Sequence, residues 1–336
     1  MQFFPVEYST LSAKSLLQLL INNYSIAAGS SITFLKRGFN DTYLISDKKP
    51  ERNENGETHN NDRKFILRVY KHDWRNLESI ETELKLINYL KENEVSVSFP
   101  IADKNAKLIH SIEAPEGLRF AVLFSFAEGL QIKKLSIEQT YLLGVETGRI
   151  HALTRNKSFG ITAHDYDIKV QFDSTLKILK PILVNYGEQY EYLLQLKEEF
   201  VELFDKTDKN ELRTGICHGD LQSENFHVTK ENQFTFFDFD FFGTAYLIYD
   251  VGVFIWYDHK NKSPEIIDSF LKGYQTQVKL SSTELKLLPY FSTLRALFQM
   301  TLFCTTNNGQ QLPLWPAQQV ADFVKKVNKW QEDHTK

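Results

Sequence analysis

The chain has 336 residues, of which 42% are hydrophobic, 24% charged and 13% aromatic. That length suits two domains or one large bilobal unit, and the composition excludes intrinsic disorder, collagen and a simple coiled coil. A net charge of -4, from 39 basic and 43 acidic side chains, argues against a protein that grips nucleic acid by neutralising its phosphates.

The two cysteines, Cys217 and Cys304, are too few for a disulfide framework or a four-cysteine metal site, and two free thiols fit a reducing compartment. The N-terminal MQFFPVEYST lacks a basic start followed by a long apolar run. The apolar stretch YLIYDVGVFIW is interrupted by Asp250 and is too short to span a bilayer. A soluble, cytoplasmic protein with no membrane or nucleic-acid partner is therefore expected.

Residues 31–46 read as strand, turn, strand around a polar centre at 36–41. Residues 47–64 are almost wholly polar and predict a long mobile loop. FILRVY at 65–70 predicts a buried strand carrying Arg68. Leu77, Ile80, Leu84, Ile87 and Leu90 recur at spacings of three and four, which predicts an amphipathic helix over 76–91 with Glu81 and Glu83 in its second turn. Residues 106–112 and 118–124 predict a strand pair joined by a Pro-Gly turn at 115–117. The pattern breaks at 125–135, which places a domain boundary there, dividing 1–127 from 128–336. Helices follow at 136–153, 170–185, 188–206, 264–277, 282–306 and 316–333, interrupted by a β-like island at 216–242. The expected class is α+β: a small antiparallel sheet lobe plus a larger, mainly helical lobe.

The chemistry is concentrated between Cys217 and Asp250, where His218, Gly219, Asp220, Asn225, Asp238 and Asp240 lie close in sequence. Residues 226–228 and 234–237 predict two strands joined by a polar turn. Such a hairpin sets Asn225 against Asp238, with Asp220 on the preceding loop. Clustered oxygen ligands suit magnesium, a hard cation that bridges to substrate phosphates. His218-Gly219-Asp220 is followed by four residues and Asn225, and Asp238-Phe239-Asp240 begins 13 residues after Asn225. Phosphoryl transfer uses this order. A carboxylate receives or orients the acceptor's hydroxyl proton, while an amide and a second carboxylate hold the metal that neutralises the phosphates.

With HGDLQSEN and FFDFD the chain resembles the aminoglycoside phosphotransferase and choline kinase-like superfamily, whose fold is the bilobal protein-kinase-like one. The family signature is His-Gly-Asp-Leu-His, two residues, then Asn, and a later Ile-Asp or Phe-Asp-Phe-Asp strand. Here Gln222 replaces the second histidine. The resemblance implies ATP and Mg2+ as cofactors and a hydroxyl-bearing acceptor. It implies Asp220 as catalytic base and Asn225 and Asp238 as metal ligands, with Asp240 either assisting the metal or standing behind its ligands. It places the nucleotide-covering hairpin at residues 37–43, with Gly38 and Asn40. It puts Arg68, where Lys is common, on the phosphates, with Glu83 as its partner and Glu81 as the alternative. The hinge, Phe124, Ser125, Phe126 and Ala127, is implied to bind adenine through backbone groups. Gly38 is the single glycine of residues 37–43, so the protein-kinase Gly-x-Gly-x-x-Gly loop is absent.

Other residues have plainer readings. His218 is implied to brace the catalytic loop, His151 reads as a core-facing helix residue, and Asp250 anchors a helix start or the catalytic loop. Cys217 reads as a small buried residue, the Lys133–Lys134 pair as solvated surface, and the Phe-rich run 234–242 as core packing with alternate faces buried. The acceptor is left open between small molecules (amino alcohol, sugar, amino acid or aminoglycoside-like) and a protein hydroxyl. Asp165, Asp167, Asp173 and Asp258 are candidates for greeting a cationic amine, with Trp256–Tyr257 as an aromatic wall. A non-catalytic, pseudokinase-like nucleotide-binding module is the alternative function. FFDFDFFGT also suggests a phosphatase of the haloacid dehalogenase type, but Phe242 occupies the position where that motif needs Thr or Val.

Overall fold

The structure, a computed structural model, describes residues 4–52, 58–162, 164–257, 263–305 and 315–335. These fall into two compact units. One is built within Met1–Glu92 and Val97–Glu128, the other within Asn93–Ser96, Gly129–Asn307 and Gln311–Lys336.

The first unit opens with helix α1 (Ala13–Asn23), started by the Ser12 hydroxyl, which accepts from the Ser15 N–H. Leu16 and Leu20, one turn apart, are its buried residues. Strands β1 (Ser31–Arg37), β2 (Asn40–Arg52) and β3 (Thr58–Tyr70) come next, then helix α2 (Leu77–Glu92) and strands β4 (Ile109–Ala114) and β5 (Gly117–Ser125). The five strands form one antiparallel sheet in the order β1-β2-β3-β5-β4. Alternate residues Tyr43 and Ile45, Leu67 and Val69, and Ala121 and Leu123 share a core with Leu16 and Leu20. Full burial of each leucine contributes about 2 kcal/mol.

The polar stretch 47–64 is not the expected loop. β2 and β3 continue through it, with Asp47 opposite Arg63 and Arg52 opposite Thr58; residues 53–57 lie outside the described residues. The ladder is made of backbone hydrogen bonds, which need no apolar side chains. Asp47 is also fully buried and accepts from the Ala27 N–H, the Ser30 hydroxyl and Arg63. Burial alone would raise its pKa, yet these donors hold the carboxyl below its ordinary range.

The second unit contains helices α3 (Ile137–Thr154), α4 (Ile168–Leu179) and α5 (Gly187–Asp205), then strands β6 (Thr214–Cys217), β7 (Phe226–Val228), β8 (Phe234–Phe236) and β9 (Gly243–Tyr246). Helices α6 (Ile248–Trp256), α7 (Pro264–Tyr274), α8 (Ser282–Cys304) and α9 (Ala317–His334) complete it. Capping boxes start α3 at Ser136 with Gln139, and α8 at Ser281 with Glu284. Every residue of α6 is buried, and its apolar surface runs all round the helix. β6 pairs with β9, and β7 with β8, both antiparallel. No described helix is long and apolar enough to cross a membrane.

Candidate active site

The candidate catalytic loop leaves β6 after Cys217, whose thiol is pushed up by burial and is not a reactive thiolate. Gly219 follows with φ +80, in the left-handed region. A Cβ there would collide with the Phe241 carbonyl and the Tyr166 hydroxyl, so the loop requires glycine. Asp250, buried in the first turn of α6, fixes the loop from beneath. One of its oxygens accepts from the Gly219 N–H at 2.9 Å. The other accepts from the His218 N–H at 2.6 Å and faces His151 Nε2 at 3.1 Å. Burial works against ionisation of Asp250, but His151, His218 and the Gly219 N–H together hold its carboxyl below the ordinary range. Of its two expected roles, Asp250 therefore takes the loop anchor: the N-cap of α6 is Leu247, with no side-chain cap. His151, also fully buried, lies 2.8 Å from the Tyr274 hydroxyl, which fixes the ring in the core.

His218 braces the loop. Its Nδ1 accepts from the Asp220 N–H at 3.4 Å, and its Nε2 donates to the Phe237 carbonyl at 3.0 Å. Asn225 closes the other side. Its amide nitrogen donates to the Asp220 carbonyl at 2.9 Å and to Asp220 Oδ2 at 2.6 Å. Its backbone carbonyl accepts from the Phe237 N–H at 3.0 Å. The hairpin register pairs Phe226 with Phe236, so Asn225 stands opposite Phe237 rather than Asp238, one residue short of the expected register. Asp238 itself, two residues beyond the end of β8, has φ 66, a left-handed conformation, and precedes a short 3-10 turn over Phe239–Phe241. That turn replaces the alternation expected for the Phe-rich run: Phe239, Phe241 and Phe242 are all buried, and Asp240 is buried with them. The backbone thus ties Asp220, Asn225 and the residue before Asp238 into one framework.

The Asp220 side chain is 10% exposed and carries four donors. Oδ2 receives the Asn225 amide and, at 2.9 Å, the Gln222 amide. Oδ1 receives the Arg295 guanidinium and, at 3.1 Å, the Tyr257 hydroxyl. A carboxylate offers about four acceptor sites, so Asp220 is saturated within its own chain. Arg295 also donates to the Tyr257 hydroxyl and, at 3.2 Å, to the Gly219 carbonyl. Burial opposes its charge, but Tyr257 and Asp220 beside it more than restore it. Burial, more than anything else, pushes the Tyr257 phenol up and keeps it a donor toward Asp220.

A cavity of about 780 Å3 lies in this unit. Leu135, Leu221, Phe226, Phe254 and Ile266 give it apolar walls, and Lys133, Lys134, Gln222, Glu224 and Tyr257 give it polar groups. Gln222 and Tyr257, two of the four donors on Asp220, thus line the cavity.

The remaining expected site residues belong to the sheet unit. Arg68 on β3 meets Glu83 on α2 at 3.0 Å. Glu83 is fully buried and also receives Arg75 at 2.8 Å and the Tyr70 hydroxyl at 3.0 Å, whereas Glu81 is exposed. Gly38 lies in the β1–β2 turn, where a Cβ would meet nothing within 4 Å. Asn40 opens β2 opposite Tyr70. Phe124 is buried in β5, opposite Ile66. The Ser125 backbone is already engaged, its N–H with the Phe99 carbonyl and its C=O with the Ser98 hydroxyl. Phe126 and Ala127 follow directly after β5.

Sequence reasoning missed Arg295 and undervalued Tyr257. Arg295 lies 75 positions beyond Asp220, in an apolar helical stretch with no motif. The one available signal was a charged residue on the inward face of that helix, among Phe291, Leu294 and Leu297. The buried pair of Arg119 with Asp41, at 3.0 Å, was likewise unforeseen, because Asp41 read as a turn residue. Asp258 lies outside the described residues.

Comparison with known proteins adds the family. The chain is 30% identical over 285 residues to an uncharacterized protein of Synechocystis, covering 84% of this chain and 75% of that one. It is 24% identical over 254 residues to the amicoumacin kinase of Bacillus subtilis, covering 69% of this chain and 71% of that one. A solved amicoumacin kinase in complex with AMP-PNP and Ca2+ has the same fold, with a TM-score of 0.73 at 21% identity over 95% of this chain and 94% of that one. The α+β, two-lobed fold is therefore that of the kinase-like phosphotransferases. Residues 39–286 match the model of the phosphotransferase enzyme family, and the chain belongs to that family as a kinase.

Proposed function

We propose that the chain moves the terminal phosphate of ATP, with magnesium, to a hydroxyl of a small molecule. The observation that carries this reading is the Asp220 carboxylate, anchored by Asn225 and Arg295 while its other two donors, Gln222 and Tyr257, line a cavity. An acceptor in that cavity reaches Asp220 by displacing one of those two. Its hydroxyl oxygen then forms a bond to the terminal phosphorus, its proton passes to Asp220, and the bond to the leaving phosphate breaks as ADP departs. Arg295 and Asn225 hold the carboxylate still while this happens.

The donor set suits a hard cation. The Asn225 amide nitrogen is committed to Asp220, leaving its amide oxygen as a ligand, and Asp238 and Asp240 add carboxylate oxygens. These three would hold magnesium, which when bound supplies positive charge against the phosphates. In the sheet unit, Arg68 with Glu83, the turn at Gly38 and Asn40, and the segment from Phe124 to Ala127 are the proposed nucleotide contacts. Likeness to a relative named for small-molecule phosphorylation supports a small acceptor. A cytoplasmic location fits the use of ATP.

Measuring ATP consumption over amino alcohols, sugars, amino acids and aminoglycosides, with magnesium and with a chelator, tests the proposal. Magnesium-dependent transfer to one acceptor class is the expected result. Nucleotide binding with no turnover on any acceptor or on water would instead favour a non-catalytic binding module.

A further inference from the structure

Two lysines on the cavity wall have no role in the phosphoryl chemistry described above. Lys133 and Lys134 are both exposed and both line the cavity. The segment that carries them is pinned at each end. Leu130 exchanges two backbone hydrogen bonds with Val228, at 3.0 and 2.9 Å. Ser136 closes the capping box of α3 with Gln139. The lysine stems thus start from fixed backbone, a few residues from either anchor. Glu224 is the one acidic side chain on the described cavity wall, so its fixed charges sum to a positive value.

Among the described residues, the acidic side chains that would suit a cationic acceptor are engaged elsewhere. Asp167 caps α4 by accepting from the Val170 N–H at 2.9 Å. Asp165 accepts from the Asp167 N–H at 2.9 Å. Asp173 pairs with Lys197. None of the three lines the cavity. An acceptor that enters here meets cationic groups at the rim, apolar walls, and the Gln222 and Tyr257 groups that lead to Asp220.

We propose that the acceptor carries an acidic group, a carboxylate in the simplest case, and that Lys133 and Lys134 recognise it. This rests on the phosphotransfer reading above and names the substrate class of the same site. The physical need is clear: an anionic acceptor approaching the Asp220 carboxylate and the phosphates of the donor is repelled by both. Two ammonium groups at the cavity rim offset that repulsion within a Debye length of about 8 Å. Lysine suits the task because its charge sits on a flexible stem and tolerates varied acceptor geometry.

The test uses three probes of one shape, each with a free hydroxyl: N-benzoylserine (anionic), N-benzoylserinamide (neutral) and serine benzylamide (cationic). Their binding to the full chain is measured in the presence of AMP-PNP and magnesium, for the wild type and for a Lys133→Ser/Lys134→Ser variant. Both lysines are exposed, so the variant keeps its fold. The anionic probe is expected to bind at least tenfold tighter than the cationic one. That advantage should fall to about twofold or less in the variant, and should shrink as salt is added. Equal or tighter binding of the cationic probe, an anionic preference that survives the double substitution, or no binding of any probe overturns the proposal. ATP turnover with water as acceptor, compared between the wild type and Asp220→Asn, tests the underlying phosphotransfer reading separately, because it does not depend on the acceptor's charge.

Discussion

Arg295 on α8 holds Oδ1 of Asp220 with its guanidinium, and the two side chains are 2% and 10% exposed. The family motif supplies the carboxylate, while a helix far along the chain supplies the group that fixes its direction. Tyr257 joins the pair, accepting from Arg295 and donating to Asp220. The Arg295 guanidinium also lies 5.0 Å from the centre of the Tyr257 ring, so charge and packing act together.

Replacing Arg295 with Met should lower turnover by about tenfold to a hundredfold, because a carboxylate displaced by roughly 1 Å loses that much. Nucleotide affinity should stay within about twofold of wild type. Arg295→Lys should recover part of the loss, since it restores charge but not the fork-shaped contact to Asp220 and the Gly219 carbonyl. Steady-state kinetics with a parallel denaturation curve separates lost catalysis from lost folding. Equal losses in Arg295→Lys and Arg295→Met would contradict this account.

Glu83 collects Arg68, Arg75 and Tyr70 in the sheet unit, with its own side chain fully buried. Glu83→Gln removes the carboxylate charge that both buried guanidinium groups contact. The expected cost is about 3–5 kcal/mol of stability, read as a lower denaturation midpoint. Arg68→Met should cost less stability than this, because Arg75 and Tyr70 still satisfy Glu83, and should weaken nucleotide binding measured by titration with AMP-PNP.

The anchor beneath the loop is sensitive to acid. The folded Asp250 carboxyl is held below its ordinary value, so its contribution to stability is complete above the unfolded value of about 3.9 and fades as pH falls through the folded one. Asp250→Asn presents an amide where one carboxylate accepts from two backbone N–H groups and faces His151. At neutral pH it should cost about 3 kcal/mol. The gap between wild type and variant should begin to narrow below about pH 4. Thermal denaturation across pH 3–7 reads this directly, and a gap that stays constant over that range would refute it.

Local rules made much of this protein legible. The helix at Leu77–Glu92 followed from apolar spacing, and the hairpin at Phe226–Phe236 from two short runs around a polar turn. The order of Asp220, Asn225 and Asp238 pointed to phosphoryl transfer before any fold was known. Three features escaped, the last two for physical reasons. Helix α1 was not foreseen, although Ser12 and the Leu16–Leu20 spacing mark it. The β2–β3 extension was hidden because backbone pairing leaves no apolar signature in a polar sequence. Buried charges such as Arg295 and Arg119 are invisible until distant elements bring their partners to them. The one-residue difference in hairpin register follows from the pairing of Val228 with Phe234 across the turn, which sets Asn225 opposite Phe237.

The most direct test of the central claim compares wild type with Asp220→Asn, an isosteric change that removes the charge proposed to receive the hydroxyl proton. Magnesium-dependent ATP turnover and AMP-PNP affinity are measured on the same preparations. Turnover should fall by at least about a hundredfold, the scale of a lost general base, with affinity unchanged within about threefold. An Asp220→Asn protein that turns ATP over at the wild-type rate would contradict the account.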